Sequence, residues 1–213
     1  MRTKHCFPIK GLYAITPDNL PEKENSIEAI EAVLKGGASV VQFRQKDRKK
    51  RDRVLKTALD IKSICEKYRA TFIVNDDIEL TLNANADGVH LGKEDVSYEL
   101  ARAALGEDKI IGISCYNSLE RALNAEKKGA DYVAFGSFFK SSTKTNAPLC
   151  SLKILREASA EIDVPIVAIG GISVENGLLL LENGADLLAC VASVFKNGDP
   201  YNSAKIINSL FRR

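Results

Sequence analysis

The chain has 213 residues, 45% of them hydrophobic and 27% charged, with a formal net charge of +2. This suits one domain with a substantial core and excludes a disordered chain, while the near-balanced charge excludes a nucleic-acid footprint. The one charge-dense stretch, 47–53, is broken by acids and reads as the solvated start of a helix, and no apolar run approaches the ~18 residues a membrane span needs.

Short apolar, β-branched runs at 11–16, 40–43, 71–74, 88–90, 110–114, 132–135, 166–169 and 188–191 predict strands. Stretches with helical spacing alternate with them at 26–35, 51–68, 78–83, 98–105, 119–128, 152–159, 175–182 and 201–211. Most of the strands are continuously apolar, as expected when both faces of a parallel sheet are buried. A phrase also recurs where helix turns to strand: Gly37-Ala38-Ser39, Asn85-Ala86-Asp87, Gly129-Ala130-Asp131 and Gly184-Ala185-Asp186. Its leading Gly or Asn can take the left-handed conformation that ends a helix, so it punctuates a βα repeat. Eight such units with no linker predict a single (β/α)8 TIM barrel over 1–213, an α/β fold. The alternative is a doubly wound open sheet. That fold usually carries a Gly-rich turn after its first strand, and Leu12-Tyr13-Ala14-Ile15-Thr16-Pro17 has none.

Cys6, Cys65, Cys115, Cys150 and Cys190 are odd in number and form no C-x-x-C pair. They read as reduced core residues rather than a disulfide or zinc framework. With no signal-type stretch after Met1, the expectation is a cytoplasmic protein without nucleic-acid or membrane partners.

In such a barrel the chemistry sits at the C-terminal strand ends. Those ends carry Thr16; Gln42, Arg44 and Lys46; Asn75 and Asp76; His90 with Asp95 beyond it; Ser114; Gly136 with Ser141, Ser142, Thr143 and Lys144; Gly170 and Gly171; and Ala192 with Ser193. The opposite ends carry the Gly/Asn-Ala-Asp turns, so useful polar groups collect on one face. Carboxylates and cations on separate strand ends would oppose each other across the mouth, an arrangement suited to a divalent metal and a diphosphate. Each residue also has a plain reading. Asp76 could cap a helix or form an Asx turn, and Asp95 could cap the helix starting near Ser97, with Glu94 a rival ligand. Arg44 and Lys46 could pair with Asp47, although the period of two in Gln42-x-Arg44-x-Lys46 points all three one way from an extended segment. Lys144 alone could be solvated. Gly170-Gly171 could be a turn, or could let backbone N–H groups approach a phosphate. His90 could be a hydrogen-bonded core histidine or a base. With only two histidines in the chain, charge stabilisation suits it better than proton transfer.

Taken together, Gln42-Phe43-Arg44-Gln45-Lys46, Asn75-Asp76, Asp87-Gly88-Val89-His90-Leu91-Gly92 with Asp95, Gly112-Ile113-Ser114, Tyr132-Val133-Ala134-Phe135-Gly136, Ser141-Ser142-Thr143-Lys144 and Ala168-Ile169-Gly170-Gly171-Ile172 closely resemble the thiamine phosphate synthase family, in order and over nearly the whole chain. The resemblance implies a (β/α)8 barrel that joins hydroxymethylpyrimidine diphosphate to a thiazole phosphate, plain or carboxylated. The products are thiamine monophosphate and diphosphate, and the metal is Mg2+. Carried over, Gln42, Phe43, Arg44, Gln45 and Lys46 with Asn75, Ser114 and Lys144 would bind the pyrimidine diphosphate. Arg44, Lys46 and Lys144 would be catalytic, Asp76 and Asp95 would hold Mg2+, and Ser141, Ser142, Thr143, Gly171, Val191 and Ala192 would line the thiazole phosphate site. The family often has Thr at the position of Ser141 and Ser at that of Ala192, where Ser193 stands adjacent. Two rivals share the resemblance. A thiazole tautomerase lacks the acidic pair and carries a histidine after the fifth strand, where this chain has Ser114-Cys115-Tyr116-Asn117. A non-catalytic paralogue that binds thiamine phosphate would not need the metal and diphosphate set. Small barrels of this kind often associate as homo-oligomers, though no interface stripe stands out.

Overall fold

The apolar runs become strands because each is buried on both sides. Inward side chains fill the barrel and outward ones pack under the helices. The computed structural model describes residues 7–18, 26–45, 51–140, 149–196 and 198–212. Its strands are β1 (Gly11–Ile15), β2 (Ala38–Phe43), β3 (Thr71–Asn75), β4 (Gly88–Leu91), β5 (Ile110–Tyr116), β6 (Tyr132–Gly136), β7 (Ile166–Ile169) and β8 (Leu187–Cys190). They pair in chain order, all parallel, and β8 pairs with β1 to close the barrel. The expected (β/α)8 fold is therefore present and the open sheet is not.

The helices are α1 (Ser26–Lys35), α2 (Arg51–Tyr68), α3 (Ile78–Asn83), α4 (Tyr98–Leu105), α5 (Leu119–Lys128), α6 (Leu152–Glu161), α7 (Val174–Glu182), α8 (Ala192–Phe195) and α9 (Pro200–Ser209), the last followed by a 3-10 turn at Leu210–Arg212. The four-residue α8 has no counterpart in the sequence reading, being too short to show a helical period. The helix expected at 201–211 starts one residue earlier. Asp199 accepts from Asn202 N at 3.0 Å, and Pro200 occupies the first turn, where its missing N–H is harmless.

Two apolar layers follow from the closure. Leu12, Val41, Phe72, Val89, Ile111, Val133, Ala168 and Leu188 face the helices. Tyr13, Ile15, Val40, Ile73, Ile110, Tyr132, Val167 and Leu187 fill the interior, with Phe7 stacked on Tyr132 at a centroid distance of 3.9 Å. Cys65, Cys115, Cys150 and Cys190 are buried and free; Cys6 lies outside the described residues. Among the described residues no helix is long and apolar enough to cross a membrane.

The recurring turns explain the lower face. Gly37, Asn85, Gly129 and Gly184 have φ of 99°, 48°, 99° and 103°, the left-handed region anticipated for them. The aspartate that follows closes the start of the preceding strand: Asp87, Asp131 and Asp186 Oδ2 accept from Phe72, Ile111 and Ile166 N, each at 2.8 Å. Partly buried cations answer two of these charges, Lys62 at 2.6 Å from Asp87 and Arg102 at 3.0 Å from Asp131. These contacts hold the barrel and leave its upper rim to chemistry.

Candidate active site

At the end of β3 the chain offers three polar residues in a row, and the backbone divides their roles. Asp77 is the N-cap of α3, its side chain accepting from Leu80 N at 2.9 Å. Asp76 is therefore not the cap. It stands in the left-handed region at φ 64°, a conformation Asp tolerates better than most residues, with its N–H bonded to His90 O at 2.9 Å. Asp95 is likewise not the cap of α4; Ser97 is, accepting from Leu100 N at 3.3 Å. One oxygen of Asp95 accepts from Gly92 N at 2.6 Å, which closes the turn after β4. A Cβ on Gly92 would stand 2.9 Å from that oxygen, so a larger residue there would push the Asp95 carboxylate aside.

The two acids freed from capping meet. Burial raises the Asp76 carboxyl to about 6, helped by a hydrogen-bond contact with Asp95 and by its charge; the Asn75 side chain and the Arg44 charge pull the other way. A second carboxylate at this distance disfavours the charged form of Asp76. No group of three or more His, Cys, Asp or Glu side chains suited to a metal occurs among the described residues. The donors here are thus a pair of hard oxygens, which fits a cation that draws its other ligands from water and phosphate.

At the end of β2, the strand next to β3, Thr16 Oγ1 accepts from Arg44 N at 2.9 Å, fixing the backbone where β2 leaves the barrel. The Arg44 guanidinium bonds to Asp18, an acid the sequence reading passed over. Gln42 is buried and turns inward to Tyr13. Phe43 and Gln45 alternate with these residues and turn outward. The Phe43 ring lies in the layer beneath the helices, and both line a cavity with Val54, Leu55 and Leu80. Their side chains are not brought together with Gln42 and Arg44, because the period of two that aims one pair at the mouth aims the other away from it. Gln45 Oε1 is buried there without a hydrogen-bond partner.

Ser114 sits half-buried at the upper end of β5, its Oγ 2.8 Å from His90 Nε2. The Cys115-Tyr116 pair after it has a structural purpose. The β5–β6 register shifts between Ser114 and Tyr116, and Tyr116 takes φ 56°. Its hydroxyl accepts from Lys93 N at 3.2 Å, beside the turn that carries Asp95. Arg121 stacks 5.9 Å from the Tyr116 ring and donates to Ser114 O at 2.7 Å and Gly92 O at 3.4 Å. It therefore ties the Ser114 strand end to the Asp95 turn. Nothing in the sequence singled it out, since an arginine on an amphipathic helix reads as solvated. Cys115 turns outward, and burial pushes its thiol up to about 12.

Gly170 and Gly171 have φ of 107° and 61°. A Cβ on Gly171 would stand 2.5 Å from Lys140 O and 2.8 Å from Phe139 Cβ, so the glycine admits the backbone of the loop after β6. Val191 and Ala192 begin α8, directly after β8, the neighbour of β7 in the barrel. Lys46, Ser141, Ser142, Thr143 and Lys144 lie outside the described residues.

The comparisons with known proteins agree with this architecture. The family described as thiamine monophosphate synthase matches residues 12–194. A thiamine-phosphate synthase of Methylococcus capsulatus is 47% identical over 205 residues, covering 96% of this chain and 91% of its own. That of Nitrosococcus oceani is 47% identical over 191 residues, covering 90% and 88%. A solved thiamine phosphate pyrophosphorylase from Pyrococcus furiosus superposes with a TM-score of 0.85 at 35% identity, covering 96% of each chain. Rim chemistry, barrel and sequence kinship converge: the chain belongs to the thiamine monophosphate synthase family.

Proposed function

We propose that this protein is a thiamine phosphate synthase, a transferase that joins hydroxymethylpyrimidine diphosphate to a thiazole phosphate and releases diphosphate. The observation that carries this reading is the meeting of Asp76 and Asp95, both released from helix capping, at a rim that also holds Arg44. Asp76 and Asp95 hold Mg2+, whose oxygen preference matches the pair. Bound there, the ion supplies positive charge to the diphosphate. Arg44, with Lys46 and Lys144, binds the same diphosphate and stabilises the negative charge that grows as the C–O bond to the pyrimidine methylene breaks. Gln42, Asn75 and Ser114 orient the pyrimidine substrate, with Phe43 and Gln45 contributing backbone to the same segment. The thiazole nitrogen is already nucleophilic and attacks the electron-poor methylene carbon, so no enzyme nucleophile or strong base is required. Ser141, Ser142, Thr143, Gly171, Val191 and Ala192 bind the thiazole phosphate.

Purified protein incubated with both substrates, with Mg2+ or with chelator, tests this. Thiamine monophosphate should form only with both substrates and the metal. Isomerisation of a thiazole phosphate alone would instead establish the tautomerase reading, and thiamine phosphate binding without turnover the paralogue reading.

A further inference from the structure

Five side chains form one hydrogen-bonded chain through the barrel interior. Gln42 Nε2 donates to Tyr13 Oη at 2.8 Å, and the Tyr13 and Tyr132 hydroxyls are 2.8 Å apart. Tyr132 Oη lies 3.0 Å from His90 Nδ1, and His90 Nε2 lies 2.8 Å from Ser114 Oγ. Five strands supply these residues, and all but the half-buried Ser114 are buried. The arrangement is tightly built. Gly112 stands between His90 and Tyr132 in the sheet register, and a Cβ on it would fall 1.9 Å from Tyr132 Cζ. Burial holds both phenols protonated, raising each above its ordinary range.

Direction follows from counting hydrogens. The Gln42 amide donates, so Tyr13 oxygen accepts, and the Tyr132 oxygen at 2.8 Å is the acceptor within reach of its one hydroxyl hydrogen. The Tyr132 hydrogen then goes to Nδ1 of His90, which must be bare. A neutral imidazole accepting at Nδ1 carries its hydrogen on Nε2, so Ser114 Oγ accepts from it and keeps its own hydrogen free for a ligand at the mouth. We infer that this relay is a positioning device: it holds His90 as the Nε2–H tautomer and so presents Ser114 as a hydrogen-bond donor to an anionic oxygen of the pyrimidine diphosphate. This rests on the reading of Ser114 as a contact of that substrate. A turned Gln42 amide would reverse every bond, put the hydrogen on Nδ1 and make Ser114 an acceptor, wrong for an anion.

The chain contains two histidines, so 15N NMR of histidine-labelled protein without ligand reads the tautomer directly, with His90→Gln identifying the signal. The Nε2–H form is expected; an Nδ1–H form or fast exchange between the two overturns the relay. In steady-state assays Tyr132→Phe should raise KM for the pyrimidine diphosphate about tenfold, a change of about 1.4 kcal/mol. KM for the thiazole phosphate should stay within about twofold. His90→Gln, whose amide nitrogen reaches the place of Nε2, should retain more activity than His90→Asn, whose nitrogen reaches only that of Nδ1. Equal losses for Gln and Asn, or an unchanged pyrimidine KM in folded Tyr132→Phe, would reduce the relay to a structural element. If Tyr132→Phe does not fold, the wild-type spectrum and the His90 pair decide the matter. Absence of condensation by wild-type protein would overturn the functional reading and the role of Ser114 with it, while the spectrum would still decide the direction of the relay.

Discussion

Asp76→Asn should stabilise the metal-free protein while abolishing its response to Mg2+. The folded environment raises the Asp76 carboxyl from 3.8 to about 6, so between those values the native state holds a proton the unfolded chain has released. Relative stability from this group is complete below pH 3.8 and is lost as pH rises through about 6, which leaves the metal-free wild type weakened at neutral pH. Two units at ~1.4 kcal/mol each give an upper bound of roughly 3 kcal/mol. Because the carboxyl is only half-buried, solvent screening brings this to about 1 kcal/mol. For a chain of this size that is a rise in Tm of about 2–4 °C in the Asn variant. Asn tolerates the left-handed φ of 64° as Asp does, so the substitution adds no backbone strain. Scanning calorimetry in chelator at about pH 8 should show the rise, and at about pH 3.5 the variant and wild type should converge, since Asp76 is then protonated in the folded and the unfolded state alike. Added Mg2+ should raise the wild-type Tm and leave the variant unmoved. A variant as stable as wild type at both pH values, or one that keeps the Mg2+ response, would refute the carboxylate pair as a cation site.

Arg44→Ala should lower kcat/KM for the pyrimidine diphosphate about a hundredfold, or roughly 3 kcal/mol, with thermal stability within about 1 kcal/mol because its partner Asp18 is well exposed. Steady-state kinetics that moved only the thiazole KM would contradict the placement. Gly112→Ala must displace the Tyr132 ring and should cost about 1–3 kcal/mol in urea denaturation; unchanged stability would mean the interior is looser than described. Asp131→Asn on the lower face removes the charge partner of partly buried Arg102, which keeps carbonyl acceptors at Gly106 and Lys109. It should cost about 2 kcal/mol while kcat of the folded protein stays near wild type, and a selective loss of turnover would blur the division between the two faces.

The barrel was legible because its strands are double-faced and its turns repeat a phrase whose first residue needs φ > 0. The acidic pair was legible as types and spacing, but which of Asn75, Asp76 and Asp77 capped α3 was not, since a backbone dihedral decides it. Tyr13 and Tyr132 read as core, because an apolar strand hides a hydroxyl whose partners lie 29 and 119 residues away. Phe43 and Gln45 came with their motif, yet alternation along an extended segment sends their side chains to the other side of the sheet.

The same residue type has opposite fates at the two ends of this barrel, and hydrogen-bond supply explains why. At the lower face Asp87 and Asp131 each meet a strand N–H and a partly buried cation, so their charge is compensated inside the protein and they serve stability. At the upper face one oxygen of Asp95 is taken by Gly92 N, while Asp76 is left facing Asp95 itself with only Asn75 and the Arg44 field to offset it. Uncompensated charge at a rim is costly to the fold unless a ligand completes it. A ligand of opposite sign therefore binds most strongly where the protein withheld its own partner. By this reasoning an Asp76 environment given an internal cation, for example by Asn75→Lys, should be more stable than wild type without metal and should lose the Mg2+-dependent rise in Tm. Retention of that rise in the folded variant would show that the missing internal partner is not what makes the site.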